Sequence, residues 1–256
     1  HIVDDLNFKA AKLAKEVSKE FFKSTGKKSW VAGALGPTNK TASLSPDVND
    51  PGFRATSFDE LKQAYHRQVV HLMRGGADII LCETTFDTLN LKAAIAGIKE
   101  YENEQGIKLP LMLSITITDS SGRTLSGQTV EACWHSIRHA DALSVGINCA
   151  LGASEMRPYM KDLSQMSDWF TSCYPNAGLP NPLSETGYDE TPEMTSSILK
   201  EYAEEGLVNI VGGCCGTTPE HIQAIREEIE DLSPRKIPKR KPGTLLSGLE
   251  PQILHT

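Results

Sequence analysis

The chain has 256 residues, 39% hydrophobic and 23% charged, the balance of a folded globular protein. A net charge of −7 lacks the positive footprint that phosphate binding needs, which excludes nucleic acid as the main partner. No run of about 18 apolar residues marks a membrane span, and six cysteines are too few for a disulfide scaffold, so they read as reduced thiols of a cytoplasmic protein.

The elements follow in chain order. Phe8, Ala11, Leu13, Ala14 and Val17 recur at helical spacing and predict an amphipathic helix over about residues 6–23. Trp30–Leu35 reads as a buried strand ended by Gly36-Pro37. Ser57 with Glu60 forms a capping box, opening a helix that stops at Gly75-Gly76. Strands are then expected at Ala77–Cys82, Leu109–Thr118, Leu143–Asn148, Trp169–Tyr174 and Val208–Gly212. Helices are expected at about Leu89–Glu104, Thr129–His139, Ser154–Gln165, Thr191–Glu205 and Pro219–Asp231.

Short continuous apolar strands alternating with helices indicate an α/β fold with a parallel sheet covered on both faces. About six β-α units after a lone helix look like a (β/α)8 TIM-type barrel lacking its first two strands. An open doubly wound sheet is the rival, but no glycine-rich dinucleotide fingerprint follows the first strand. Residues 1–232 are assigned to the barrel. Residues 233–256 are assigned to a linker and the start of another domain, with Arg235-Lys236 and Lys239-Arg240-Lys241 read as solvated and broken by prolines.

In a parallel barrel the chemistry gathers at the C-terminal ends of strands. Those positions carry Thr38-Asn39, Glu83-Thr84-Thr85, Thr116 to Asp119, Asn148-Cys149, Pro175-Asn176 and Gly213-Cys214-Cys215-Gly216. Vicinal cysteines between glycines can turn both sulfurs toward one ion, and Cys149 in its own turn supplies a third. Three thiolates leave one coordination position open, the mark of a catalytic zinc site. An electron-rich site of this kind favours alkylation of a bound thiol over hydrolysis. The alternative is that these are small buried hydrophobes. Cys82, Cys133 and Cys173, inside strands or a helix, are assigned that packing role. So are Met156, Met160 and Met166, and the helical His66, His71, His135, His139 and His221 are given surface or packing roles.

With Gly212-Gly213-Cys214-Cys215-Gly216 and Asn148-Cys149, the sequence resembles the homocysteine S-methyltransferase family. The likeness is closer still to the homocysteine-binding domain found in cobalamin-dependent methionine synthases. Ala34-Leu35-Gly36-Pro37-Thr38-Asn39, Glu83-Thr84-Thr85-Phe86-Asp87-Thr88, Ser121-Gly122-Arg123-Thr124 and Tyr174-Pro175-Asn176-Ala177-Gly178 carry the same likeness. The tail Leu246-Ser247-Gly248-Leu249-Glu250 resembles the entry to a folate-binding domain. The family's opening Asp-Gly-Gly strand and its second strand near Glu-Thr-Asn are not present.

The resemblance implies a zinc tri-thiolate of Cys149, Cys214 and Cys215 and homocysteine as methyl acceptor. It implies methylcobalamin on another domain as donor, with cobalamin- and folate-binding domains of the same polypeptide as partners. It implies that Glu83 meets the substrate ammonium. Asn176 either offers an oxygen to zinc or shapes its turn. Asn148 orients Cys149 or the substrate carboxylate, or stabilises its turn. Thr38 and Asn39 are assigned to the rim. Two alternatives stand beside this reading: a free-standing methyltransferase using betaine or S-methylmethionine, and a non-catalytic zinc- or thiol-binding module.

Overall fold

The structure, a computed structural model, describes residues 2–118, 120–184, 187–239 and 243–254. Asp119 of the strand-end set and Arg240, Lys241 and Pro242 of the basic segment lie outside the described residues. The chain forms two compact units, His1–Met112 and Leu113–Thr256. Among the described residues no helix is long and apolar enough to cross a membrane.

The first unit holds α1 (Ile2–Thr25), β1 (Ala32–Leu35), α2 (Phe58–Gly75), β2 (Ile79–Thr85) and α3 (Thr88–Gln105). β1 and β2 pair in parallel from Ala32↔Ile79 to Leu35↔Cys82. Gly33 and Leu35 of β1 are buried while Ala32 and Ala34 are exposed, the period-two alternation of a strand with one covered face. The expected capping box starts α2: Glu60 N–H donates to Ser57 Oγ, and Ser57 N–H to Glu60 Oε2 at 2.8 Å. Gly76 ends the helix at φ 102, a left-handed C-cap that glycine adopts without a Cβ penalty. Leu61, Tyr65, Val69 and Leu72 of α2 are buried, as are Leu91, Ala94, Ile95 and Ile98 of α3, and these two helices pack together.

One expectation is corrected in α1. Leu13 and Val17 are 65% and 56% exposed, so of the expected stripe Phe8 and Ala11 pack while Leu13, Ala14 and Val17 face solvent. The packed stripe runs through Asp4, Asn7, Phe8, Ala11 and Lys15. Ala11 is its fully buried member because α1 approaches α2 closely there: a Cβ on Gly75 would lie 2.7 Å from that of Ala11. Ion pairs complete the face. Arg67 donates to both Asp4 oxygens at 2.6 and 2.7 Å, and Lys15 binds Asp78 at 2.6 Å.

β3 (Leu111–Ile115) begins in the first unit and ends in the second. The second unit continues with α4 (Val130–Ile137), a short 3₁₀ turn (Arg138–Ala140), β4 (Ser144–Gly152), α5 (Ala153–Met166) and β5 (Phe170–Asn176). α6 (Pro192–Glu204), β6 (Ile210–Val211) and α7 (Pro219–Ile229) follow. β4 pairs in parallel with β5, and β5 with β6, and the strand order is the chain order. The expected α/β fold of alternating strand and helix units with a parallel sheet is borne out, with six strands in that sheet among the described residues. Leu113, Ile115, Val145, Ile147, Met156, Met160 and Leu163 form the core, and Trp134 meets Trp169 edge-on at 4.7 Å. Met156 and Met160 are fully buried, as their packing role requires.

The tail departs from the expectation of a solvated linker. Arg235 is 4% exposed. Its guanidinium donates to the main-chain oxygens of Ser164, Ser167 and Trp169, closing the turn between α5 and β5, and its own N–H bonds Val208 O at 3.1 Å. A buried cation is tolerated when its donors are met by oriented carbonyls. β7 (Thr244–Ser247) and β8 (Pro251–Leu254) then form an antiparallel hairpin on α4, where Ser247 Oγ donates to Ala132 O at 2.6 Å.

Candidate metal centre

β4 runs in register with β5 as far as Asn148↔Tyr174 and regains pairing only at Gly152↔Asn176. β4 therefore advances from Asn148 to Gly152 while β5 advances only from Tyr174 to Asn176. The surplus is taken up by Cys149 and Ala150, both at φ 62. A non-glycine residue in the left-handed region costs on the order of 1–2 kcal/mol. That cost frees Cys149 from the pleat and leaves it half-buried instead of sealed in the core.

The cysteine pair is set just after β6. Cys214 N–H donates to Pro175 O at 2.8 Å, and Ala177 N–H donates to Cys215 O at 2.9 Å, so the loop is stitched to the end of β5. The Asn176 side-chain oxygen accepts from Cys215 N–H at 3.1 Å. Thr217 Oγ1 donates to Cys214 O at 2.7 Å and tightens the turn from below.

These two strand ends bring three sulfurs together. Cys149 Sγ lies 3.8 Å from Cys215 Sγ, and Cys214 Sγ lies 3.9 Å from Cys215 Sγ. All three lie within 4.8 Å of one another, a group that could hold a metal ion. With Zn–S near ~2.3 Å, the edge of a tetrahedral thiolate site is ~3.8 Å, so the spacing fits zinc without rearrangement of the two measured edges. Cys149 and Cys214 are half-buried and Cys215 is exposed, which keeps the site reachable from solvent.

The electrostatics agree. Burial, and then the neighbouring Cys215, raise the Cys149 thiol above its ordinary value. Burial, and then Cys149 and Cys215, push the Cys214 thiol up to about 12. Adjacent thiols resist ionisation together, and a divalent cation is the partner that relieves this by displacing their protons. By contrast Cys82, Cys133 and Cys173 are sealed in the core, each pushed up to about 12 by burial, as their packing role requires.

Asn148 is fully buried beside the sulfurs. Its Oδ1 accepts from Ser114 Oγ at 2.6 Å, its main-chain oxygen accepts from Thr116 Oγ1 at 2.9 Å, and its Nδ2 reaches Cys214 Sγ at 3.9 Å. It therefore braces Cys214, a cysteine other than its sequence neighbour. Asn176 is buried with its Oδ1 engaged on Cys215 N–H.

Glu83, Thr38 and Asn39 belong to the first unit. Glu83 is half-buried in β2, followed by Thr84 at φ 56, a second strained strand end. Thr38 Oγ1 donates to Lys40 O at 2.6 Å and accepts from Asn90 Nδ2 at 3.1 Å, fastening the loop after β1 to α3. Asn39 is exposed. Residues absent from the sequence reading are Ser114, which locks Asn148, and Tyr188, whose ring lies against Gly216.

Residues 1–229 match the family described as homocysteine S-methyltransferase. Two solved structures of the homocysteine methyltransferase MmuM from Escherichia coli share the fold. The apo form aligns with a TM-score of 0.64 at 21% identity, covering 88% of this chain and 73% of that one. The metallated form aligns with a TM-score of 0.66 at 22% identity, covering 88% of this chain and 70% of that one.

Proposed function

The chain belongs to the homocysteine S-methyltransferase family, and from that premise we propose that it binds zinc through Cys149, Cys214 and Cys215 and presents homocysteine as a thiolate for methylation to methionine. The observation that carries this reading is the sulfur triangle, whose two measured edges of 3.8 and 3.9 Å match a tetrahedral zinc–thiolate site. When bound, zinc supplies a Lewis acid that lowers the pKa of a substrate thiol from about 8.5.

The chain's own residues do the rest. The left-handed Cys149 turn and the Asn176 bond to Cys215 N–H hold the sulfurs on a preformed frame. Asn148 Nδ2, fixed by Ser114, sits against Cys214 and limits its rotation. For Glu83 a role on the substrate ammonium is proposed from the resemblance of Glu83-Thr84-Thr85 alone. Methylcobalamin on another domain is the proposed methyl donor, with residues 233–256 leading toward a folate-binding domain. That part rests on the sequence of the Leu246–Glu250 tail.

Calorimetry of homocysteine binding to the zinc-loaded chain, in buffers of different ionisation enthalpy, tests the thiolate step. Release of about one proton near neutral pH is expected, because metal ligands bind deprotonated. Binding without proton release contradicts it. Methyl transfer from free methylcobalamin, compared with betaine and S-methylmethionine, identifies the donor.

A further inference from the structure

Tyr188 lies 27 residues before Cys215 in a loop with no regular structure, yet its position is strongly determined. Glu190 N–H donates to Ala177 O at 3.1 Å, in the same segment that bonds Cys215 O. The Glu190 carbonyl meets His221 Nε2 at 3.0 Å, and Thr195 Oγ1 donates to Glu190 Oε2 at 2.8 Å. On the other side Ser184 Oγ donates to Tyr188 O at 3.0 Å, and Asn181 Nδ2 binds Asp189 Oδ2 at 2.6 Å. Loops carry function where a rigid scaffold positions them, and this loop is braced on both sides of one side chain.

That side chain lies on the cysteine turn. A Cβ on Gly216 would fall 2.5 Å from Tyr188 Cγ and Cδ2, so the glycine's missing side chain is the space the ring occupies. Burial, and then the three site cysteines with Cys215 foremost, raise the phenol above its ordinary value, as a ring packed on the residue next to Cys215 requires. Cys215 is the most exposed of the three cysteines, and Asn148 Nδ2 reaches Cys214.

We propose that Tyr188 is a positioning residue of the tri-thiol site: its hydroxyl donates to Cys215 Sγ, fixing that sulfur's direction and drawing electron density from it. Asn148 would do the same for Cys214. Such outer partners of metal ligands set ligand orientation and donor strength. This inference rests on the metal reading of the three cysteines.

The test loads the protein with Co²⁺ and compares it with Tyr188→Phe and Gly216→Ala. Both variants should retain one Co²⁺ per chain, with affinity lower by about tenfold for Tyr188→Phe. In both, the thiolate-to-cobalt charge-transfer band should move to longer wavelength, because a sulfur that loses a donor is more readily oxidised. Gly216→Ala acts by pushing the ring away, so the double variant should show no further shift. A residue that only packs would change unfolding midpoints and leave the band where it is. One Co²⁺ per chain with the wild-type band in Tyr188→Phe overturns the proposal and leaves the metal site standing. Loss of Co²⁺ from Tyr188→Phe also overturns it, since a donor to sulfur is not a ligand. Absence of Co²⁺ from the wild-type protein overturns the metal reading itself.

Discussion

Cys173 sits inside β5, in register with Ile147 and Val211, fully buried with its thiol 3.8 Å from Met156 Sδ. Cys149 sits on the neighbouring strand, one residue past the last regular pair, at φ 62 and half-buried. The residue type is the same and the strands are adjacent. What differs is whether the backbone stays in the ladder. A pleated strand commits its thiol to the core, where it is a small hydrophobe. Leaving the ladder costs strain and offers the sulfur to a cation, which is how strained backbone is used at functional sites. Cys214 and Cys215 reach the same state by another route, on a loop stitched to the end of β5.

The largest expected effect separates the two classes outright. Cys149→Ala or Cys214→Ala should take zinc from about one per chain to none, measured by elemental analysis after gel filtration. Stoichiometric zinc in a Cys214→Ala/Cys215→Ala double variant would break the comparison.

The two classes should also answer pH with opposite sign. The Cys149 and Cys214 thiols, held protonated by burial and their neighbours, must lose protons to a metal, so zinc affinity should rise with pH, by up to about a hundredfold per unit if both protons are displaced. Chelator competition at pH 6, 7 and 8 measures it. For Cys82, Cys133 and Cys173, burial sets the folded value at about 12, above an unfolded value of about 8.5. A raised value means that their stabilisation is whole below about pH 8.5 and is lost as pH climbs toward 12. Each thiol contributes about 1.4 kcal/mol of loss per pH unit in that window. Denaturant unfolding of the metal-free protein between pH 8 and 11 should show the decline, and a flat profile would contradict it.

Two smaller effects sharpen the contrast. Cys173→Ala should destabilise by about 1.5 kcal/mol through the void it leaves, with zinc content unchanged. Ala150→Gly should stabilise by about 0.5 kcal/mol, since glycine removes the left-handed penalty at some entropic cost. Denaturant midpoints resolve both, and a destabilised Ala150→Gly would mean that the turn is not strained.

The strand–helix alternation was legible because short apolar runs and caps such as Ser57-Glu60 act locally. The tri-cysteine cluster was legible from glycine-flanked thiols at strand ends. What is set by distant partners was not. Nothing near Arg235 distinguishes it from Lys236, because its carbonyl partners lie on Ser164, Ser167 and Trp169. The α1 stripe misled only at Leu13, Ala14 and Val17, which share its spacing, while packing there is decided by close approach at Ala11 and by ion pairs to Arg67 and Asp78. The hairpin of β7 and β8 is too short to show a period. Tyr188 carries no sequence signal, since its role arises from a loop folded back over Gly216.

The most direct measurement of the central claim is X-ray absorption at the zinc edge, with and without homocysteine. The account predicts three sulfur neighbours per zinc at about 2.3 Å in the protein alone and four when homocysteine is bound. Fewer than three sulfurs in the first state, or no added sulfur in the second, would contradict it.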